Sequence, residues 1–298
     1  MQPIASWLVA KPQNAVLALA FTLVLSTQLL LGGAIIVLLV LYQGVAKTVI
    51  QAAFAIAIVA VIGLVTSSPP MPLLIAATVN WLPMLLLGFV LGKLRSFTLT
   101  LQLSVLGAVV ILLAVQIYVA DNATFGEQFI TDFAKLMSEA GNQDVADVLL
   151  ANKAMYVGQL PLYLVFAWWQ MSVLALMLGY TLIRALPGDA GARWEFGRIC
   201  DLSYGKVLAI IVAIASVMAW LVGQQWLQNL SFLVLAAFWI QGLAIIHWLC
   251  AEGRLPVAML VMTYVVLPFL SILMVVALAV AGYLDAWFQL RRKVSTES

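Results

Sequence analysis

The sequence predicts an all-α, polytopic transmembrane helical bundle that carries an extracytoplasmic amphipathic helical insertion. Three observations lead there. Apolar residues make up 65% of the 298 and charged residues only 9%. Charge-free runs at 12–46, 48–92, 96–120, 154–183, 207–251 and 255–284 each exceed the ~20 residues that span a bilayer as a helix. One polar stretch, 121–153, breaks the pattern: Asp121, Glu127, Asp132, Glu139, Asp144 and Asp147 stand there against Lys135 and Lys153, a net charge of −4. The chain therefore divides into an N-terminal transmembrane block (1–120), an amphipathic insertion (121–154) and a C-terminal transmembrane block (155–298), with no length left for a sizeable water-soluble domain.

The first apolar run, Asn14 to Gly44, contains Gly32-Gly33 and ends at Tyr42-Gln43-Gly44 before Lys47. It fits two short or tilted passes broken near the paired glycines, because membrane helices tolerate breaks that protein covers. No small-residue cleavage site follows Lys11, so this segment is expected to stay as a membrane helix. Further spans are expected at about 48–66, 72–92 and 98–120. The insertion reads as two amphipathic helices separated by Gly141-Asn142, with Phe125, Phe129, Phe133, Leu136 and Met137 at helical spacing. It is either a lid over an external cavity or a helix pair lying on the membrane surface. Spans at about 155–185, 207–222 and 229–250 follow, and Pro268 divides the last run, Pro256 to Leu290, into two short ones.

Basic residues in short loops favour the cytoplasmic side. Lys47, Lys93 with Arg95, the Arg184-to-Lys206 loop and Arg254 share one side if the spans alternate, while 121–153, Ser67-to-Pro72 and Gln224-Gln225 take the other. Ten passes, some short, put Lys11 and Arg291-Arg292-Lys293 in the cytoplasm as well; eight long passes put both termini outside. Cys200 and Cys250 lack metal-ligand spacing and fall near cytoplasmic segments, where thiols stay reduced.

Polar and amphipathic groups interrupt the apolar spans at Asn80, Trp81, Gln102, Gln116, Gln159, Tyr163, Trp168, Trp169, Gln170, Gln241 and His247. Such groups need partners in hydrocarbon, so they face the bundle interior or a wet cavity. The ligand-binding candidates drawn from them are Asn80, Trp81, Gln102, Gln159, Tyr163, Trp169, Gln170, Gln241 and His247, amides and rings suited to a small ring-containing ligand. The competing reading is that amides join helices and tryptophans mark the membrane boundary. Gly88 and Gly92 have the GxxxG spacing that lets helices approach, as do Ala53/Ala57 and Ala215/Ala219 with alanine. Asp285 precedes Arg291 by about two helical turns and reads as a loose surface pair or a cap.

The missing motifs exclude more than the present ones assign. There is no GxxxxGK[ST] loop, HExxH pair or GxSxG elbow. No enzymatic activity, metal or cofactor is expected. The absence of a dense basic tract leaves no expectation of nucleic acid as a partner.

At Gln241-Gly242-Leu243-Ala244/His247 and at Gly282-Tyr283-Leu284-Asp285-Ala286-Trp287-Phe288/Arg291, the chain resembles the YybS-like family of bacterial membrane proteins. That family is in turn distantly similar to the substrate-binding S components of energy-coupling-factor transporters, and here Gly32 to Gly44, Lys47 and Gly88 to Gly92 look like the S-component arrangement of unequal helices. The resemblance implies a multi-pass protein of the bacterial inner membrane that binds a small molecule or lipid in its bundle, with an external ATPase module as partner. The alternative is a non-transporting scaffold that recruits partners through Arg193-Trp194-Glu195-Phe196-Gly197-Arg198, with Trp194 and Phe196 exposed.

Overall fold

A computed structural model of the chain describes residues 1–25, 27–65, 71–194, 197, 199–266 and 271–291. The described residues are helical, without strand. In order they form α1 (Gln2–Ala10), α2 (Pro12–Val24), a π-helical turn Gln28–Gly32 that runs on into α3 (Gly33–Gln43), α4 (Val45–Val65), α5 (Met71–Leu94), α6 (Phe97–Asp121), α7 (Ala123–Glu139), α8 (Gln143–Ala151), α9 (Lys153–Arg184), α10 (Asp189–Ala192), α11 (Gly205–Val222), α12 (Gln225–Ala236), α13 (Trp239–Ala251), α14 (Val257–Val266) and α15 (Ser271–Phe288). A single 3₁₀ turn, Ile199–Asp201, precedes α11.

Among the described residues, six helical stretches are long and apolar enough to cross a membrane: Val45–Val65, Met71–Leu94, Phe97–Asp121, Lys153–Arg184, Gly205–Val222 and Gln225–Ala251. The pair α1 and α2, bent by 112° at Lys11, makes a seventh if it counts as one broken span. Shorter apolar helices stand at Gln28–Gln43, Val257–Val266 and Leu273–Phe288. Much of this apolar surface is not packed inside the chain: Val65 is 81% exposed, Trp220 82% and Val207 74%. Water tolerates no such continuous apolar faces, so these faces meet lipid and the chain is a multi-pass membrane protein.

The break expected at Gly32-Gly33 lies elsewhere. Helix α2 ends at Val24, and the two glycines sit inside the continuous Gln28–Gln43 helix. Their reason is packing: a methyl group on Gly32 would meet Trp81 and Thr22, and one on Gly33 would meet Met84 and Ala175. Of the Ser67-to-Pro72 turn, 67–70 fall outside the described residues, as does Pro268, while Met71 and Pro72 open α5.

Packing divides the chain into two units, 1–104 with 168–197 and 105–167 with 198–298. Each is built from two separate stretches, so neither coincides with the blocks 1–120, 121–154 and 155–298. In the first unit α3 is the core. Every residue from Gly33 to Leu41 is buried, as an all-apolar helix requires. Helices α5 and α9 reach it through glycines: Gly88 lies against Val40 and Val37, and a Cβ on Gly179 would stand 2.6 Å from Val37 Cβ. Gly92 approaches Leu41 and Trp194, so the Gly88/Gly92 spacing packs α5 within the chain. Ala53 and Ala57 point outward, whereas Ala52, Ala55 and Val59 are buried.

In the second unit α13 and α15 cross closely. A methyl group on Gly242 would collide with the Leu278 carbonyl, and one on Gly282 with the Phe238 carbonyl. Around the crossing, Tyr204, Phe238 and Tyr283 pack edge to face, with centroids 5.4 and 5.5 Å apart. The insertion forms the α7–α8 hairpin that the sequence predicts, turning at Gly141 with φ +83°. Its small core is Ile130, Ala134, Ala146 and Leu149, with Met137, Tyr156 and Val157 against it.

Candidate functional site

The nine ligand-binding candidates are distributed over both units. Asn80, Trp81, Gln102, Trp169 and Gln170 belong to the first unit, and Gln159, Tyr163, Gln241 and His247 to the second. Most of those with defined contacts hold structure together. Trp81 Nε1 donates to the Gln28 carbonyl at 3.2 Å, inside the π turn. Trp169 Nε1 donates to Ser104 Oγ at 3.1 Å between α9 and α6. The Tyr163 hydroxyl donates to Gln159 Oε1 one turn away on the same helix. His247 Nε2 pairs with the Tyr264 hydroxyl at 2.9 Å, joining α13 to α14. Asn80, Gln102 and Gln170 are half-buried on α5, α6 and α9.

Gln241 is fully buried and belongs to a polar knot that closes the second unit. Its Nε2 donates to Asp285 Oδ2 at 2.8 Å, and its Oε1 accepts the Tyr204 backbone N–H at 2.8 Å. Asp285 is only 3% exposed, which corrects the expectation of a loose surface pair. Arg291 Nη2 lies 2.8 Å from Asp285 Oδ2, and the guanidinium also donates to the carbonyls of Cys200 at 2.6 Å and Leu202 at 2.7 Å. Six residues on an unbroken helix would point Arg291 away from Asp285. Gln289, at φ +50°, ends α15 in the left-handed region and turns the chain back over the carboxylate. Burial pushes the Tyr204 phenol up from its ordinary value, which keeps it neutral at this junction. A 550 Å³ hollow beside the knot is lined by Asp201, Ser203, Trp248 and Gln289.

A second amide junction centres on Asn229, which is 1% exposed. Its Nδ2 donates to Gln116 Oε1 and to the Gly158 carbonyl, both at 2.9 Å, and its Oδ1 accepts from Gln225 Nε2 at 3.1 Å. These bonds tie α12 to α6 and α9, the ordinary use of amides between membrane helices. Among the described residues no three His, Cys, Asp or Glu side chains gather as a metal site.

A cavity of about 780 Å³ in the first unit is an open groove between α2 and α4. Pro12, Gln13, Val16 and Leu17 line it from α2, Gln43 from the end of α3, and Lys47, Ile50, Gln51, Phe54 and Ile58 from α4. The α4 residues recur at the three- and four-residue steps that keep one helix face together, and they change character along it. Lys47 and Gln51 come first, Phe54 and Ile58 last, about 16 Å beyond Lys47 at 1.5 Å per residue. Gln43 and Gln51 pair reciprocally, Gln43 Nε2 to Gln51 Oε1 at 2.7 Å and the return bond at 3.4 Å. Each amide still carries a second N–H. A polar mouth above an apolar trough is the shape of a site for an amphiphile. On the other side of α2, a 700 Å³ hollow lined by Trp7, Leu17, Phe21, Leu31 and Ile35 is almost wholly apolar.

None of the nine candidates lines these cavities. The groove has a signal in the sequence: Gln43, Lys47 and Gln51 recur every four residues across the Gly44 turn, in a segment with no acidic residue. Trp194, expected to be exposed, is 8% exposed, and its carbonyl accepts the Tyr180 hydroxyl at 2.7 Å. Phe196 lies outside the described residues. Comparison with protein-family models, with curated proteins and with solved structures finds no match to the chain.

Proposed function

We propose that the chain is a transport-related protein of the bacterial inner membrane whose first unit takes up a lipid or a lipid-like small molecule. The observation that carries this reading is the split polarity of the α2–α4 groove, with Gln13, Gln43, Lys47 and Gln51 at its mouth and Val16, Leu17, Phe54 and Ile58 along its trough. A ligand entering sideways from the bilayer would leave its apolar part in an environment like the one it came from and its polar part against amides and an ammonium. The resemblance to the YybS-like family and to S components agrees with it, and makes an external ATPase module the partner that would supply energy. The scaffold reading loses ground, because burial of Trp194 removes one of its two aromatic contacts.

Native mass spectrometry of the purified protein tests the reading. A defined adduct, retained out of proportion to its abundance in the membrane, is expected. Adducts that merely mirror bulk phospholipid, together with no ligand-induced rise in melting temperature across lipid and metabolite panels, would contradict it.

A further inference from the structure

We propose that the groove is selective for an anionic phospholipid, whose phosphate is held at Lys47 and one of whose acyl chains lies along Val16, Leu17, Ile50, Phe54 and Ile58. This rests on the amphiphile reading of the same groove and adds the sign of the headgroup.

Charge carries the inference. The first acidic residue in the chain is Asp121, so residues 1–96 contain Lys11, Lys47, Lys93 and Arg95 with no carboxylate among them. Among the described residues, Lys47 is the one charged residue lining the groove. It is exposed rather than folded into a buried pair. No carboxylate of 1–120 is there to neutralise it, and in a membrane a concentrated source of negative charge is the phosphate layer.

The surrounding groups share that polarity. Lys47 stands in the first turn of α4 and Gln13 in the first turn of α2, which has no side-chain cap. Helix starts present unpaired N–H groups and the positive end of the dipole. The second N–H groups of Gln43 and Gln51 add neutral donors at the same mouth. The Lys47 cation and the spare amide N–H groups suit phosphate oxygens, and they stand beside amide oxygens and the C-terminal end of α3. A zwitterionic headgroup would bring a second cation into the same place.

The trough suits a single chain. Ile50, Phe54 and Ile58 follow Lys47 on one face of α4, and Val16 and Leu17 follow Gln13 on α2. Leu17 is 58% exposed and Phe54 61%. The trough is thus open sideways, and the second chain of a phospholipid can remain in the bilayer.

The test uses the full chain in nanodiscs of equimolar phosphatidylglycerol and phosphatidylcholine with matched acyl chains, read by native mass spectrometry after release. The unsubstituted protein should retain phosphatidylglycerol several-fold over phosphatidylcholine. Lys47→Gln should lower phosphatidylglycerol retention about fivefold, the weight of one basic residue at an anionic surface, and leave phosphatidylcholine unchanged. Lys93→Gln, a basic residue outside the groove, should change neither. Ile58→Trp, which fills the trough, should lower both lipids together. Equal retention of the two lipids, or phosphatidylglycerol retention indifferent to Lys47→Gln, overturns the headgroup assignment while the amphiphile reading stands. Absence of any retained lipid, or indifference of both lipids to Ile58→Trp, overturns that reading and this inference with it.

Discussion

Asp285, Arg291 and Gln241 show how a few polar side chains order a largely apolar chain. The Arg291 side chain is 13% exposed and that of Asp285 2%, so removing one partner leaves a nearly buried charge without compensation. Asp285→Asn is expected to destabilise the protein by about 3 kcal/mol, measured as thermal unfolding in a mild detergent. The double variant Asp285→Asn with Arg291→Met should lose less than the two single changes added together, since it removes both charges. Gln241→Leu should cost about 1–3 kcal/mol by stranding the Tyr204 N–H. Much of this was within reach of the sequence: Gln241 needed a buried partner, and Gly242 marked a close crossing. Its closure was not, because Cys200 and Arg291 are 91 positions apart and the left-handed turn at Gln289 has no glycine to announce it.

Helix α7 has an apolar face about half its circumference wide, and α8 covers only part of it. Ile130, Ala134 and Met137 turn into the hairpin, while Phe125, Phe129, Phe133 and Leu136 remain 37–55% exposed. The uncovered strip begins beside the membrane, since Phe125 packs edge to face on Tyr118 near the end of α6, with centroids 5.6 Å apart. A helix pair lying on the membrane surface buries this strip in the headgroup boundary. Spin labels at 125, 129 and 133, in a variant lacking Cys200 and Cys250, should therefore be relaxed by oxygen and shielded from a water-soluble nickel chelate, with the opposite result at 127 and 131. Chelate access on both faces would favour a lid held in water. The helical period of α7 was plain in the sequence because it is local. Which half of the apolar face α8 takes depends on packing. Gly32-Gly33 teaches the same lesson, because a glycine that breaks a helix and one that admits a neighbour look alike in one dimension.

Across the molecule, the spans were legible because hydrocarbon excludes charge over whole helices, and the charge-free runs mark them within a few residues. Val45–Val65, Phe97–Asp121 and Gly205–Val222 stand where runs 48–66, 98–120 and 207–222 were expected. The candidate site was not legible in this way. Trp81, Trp169 and Gln241 were chosen as polar interruptions of apolar spans, and such groups are most often spent on holding helices together. The basic loops give the expected orientation. Single cysteines at 140 and 190, in the Cys200- and Cys250-free background, should label from outside only at 140. The central claim, an amphiphile seated between α2 and α4, is tested most directly by a photoreactive phospholipid in nanodiscs, with the adducts mapped by peptide mass spectrometry. Adducts should concentrate on 12–24 and 45–65, above those on α11, whose Val207 and Trp220 are more exposed than Leu17, Ile50, Phe54 or Ile58 of the groove. Equal labelling of α11 and α4 would mean that lipid merely bathes the helices, and would contradict the claim.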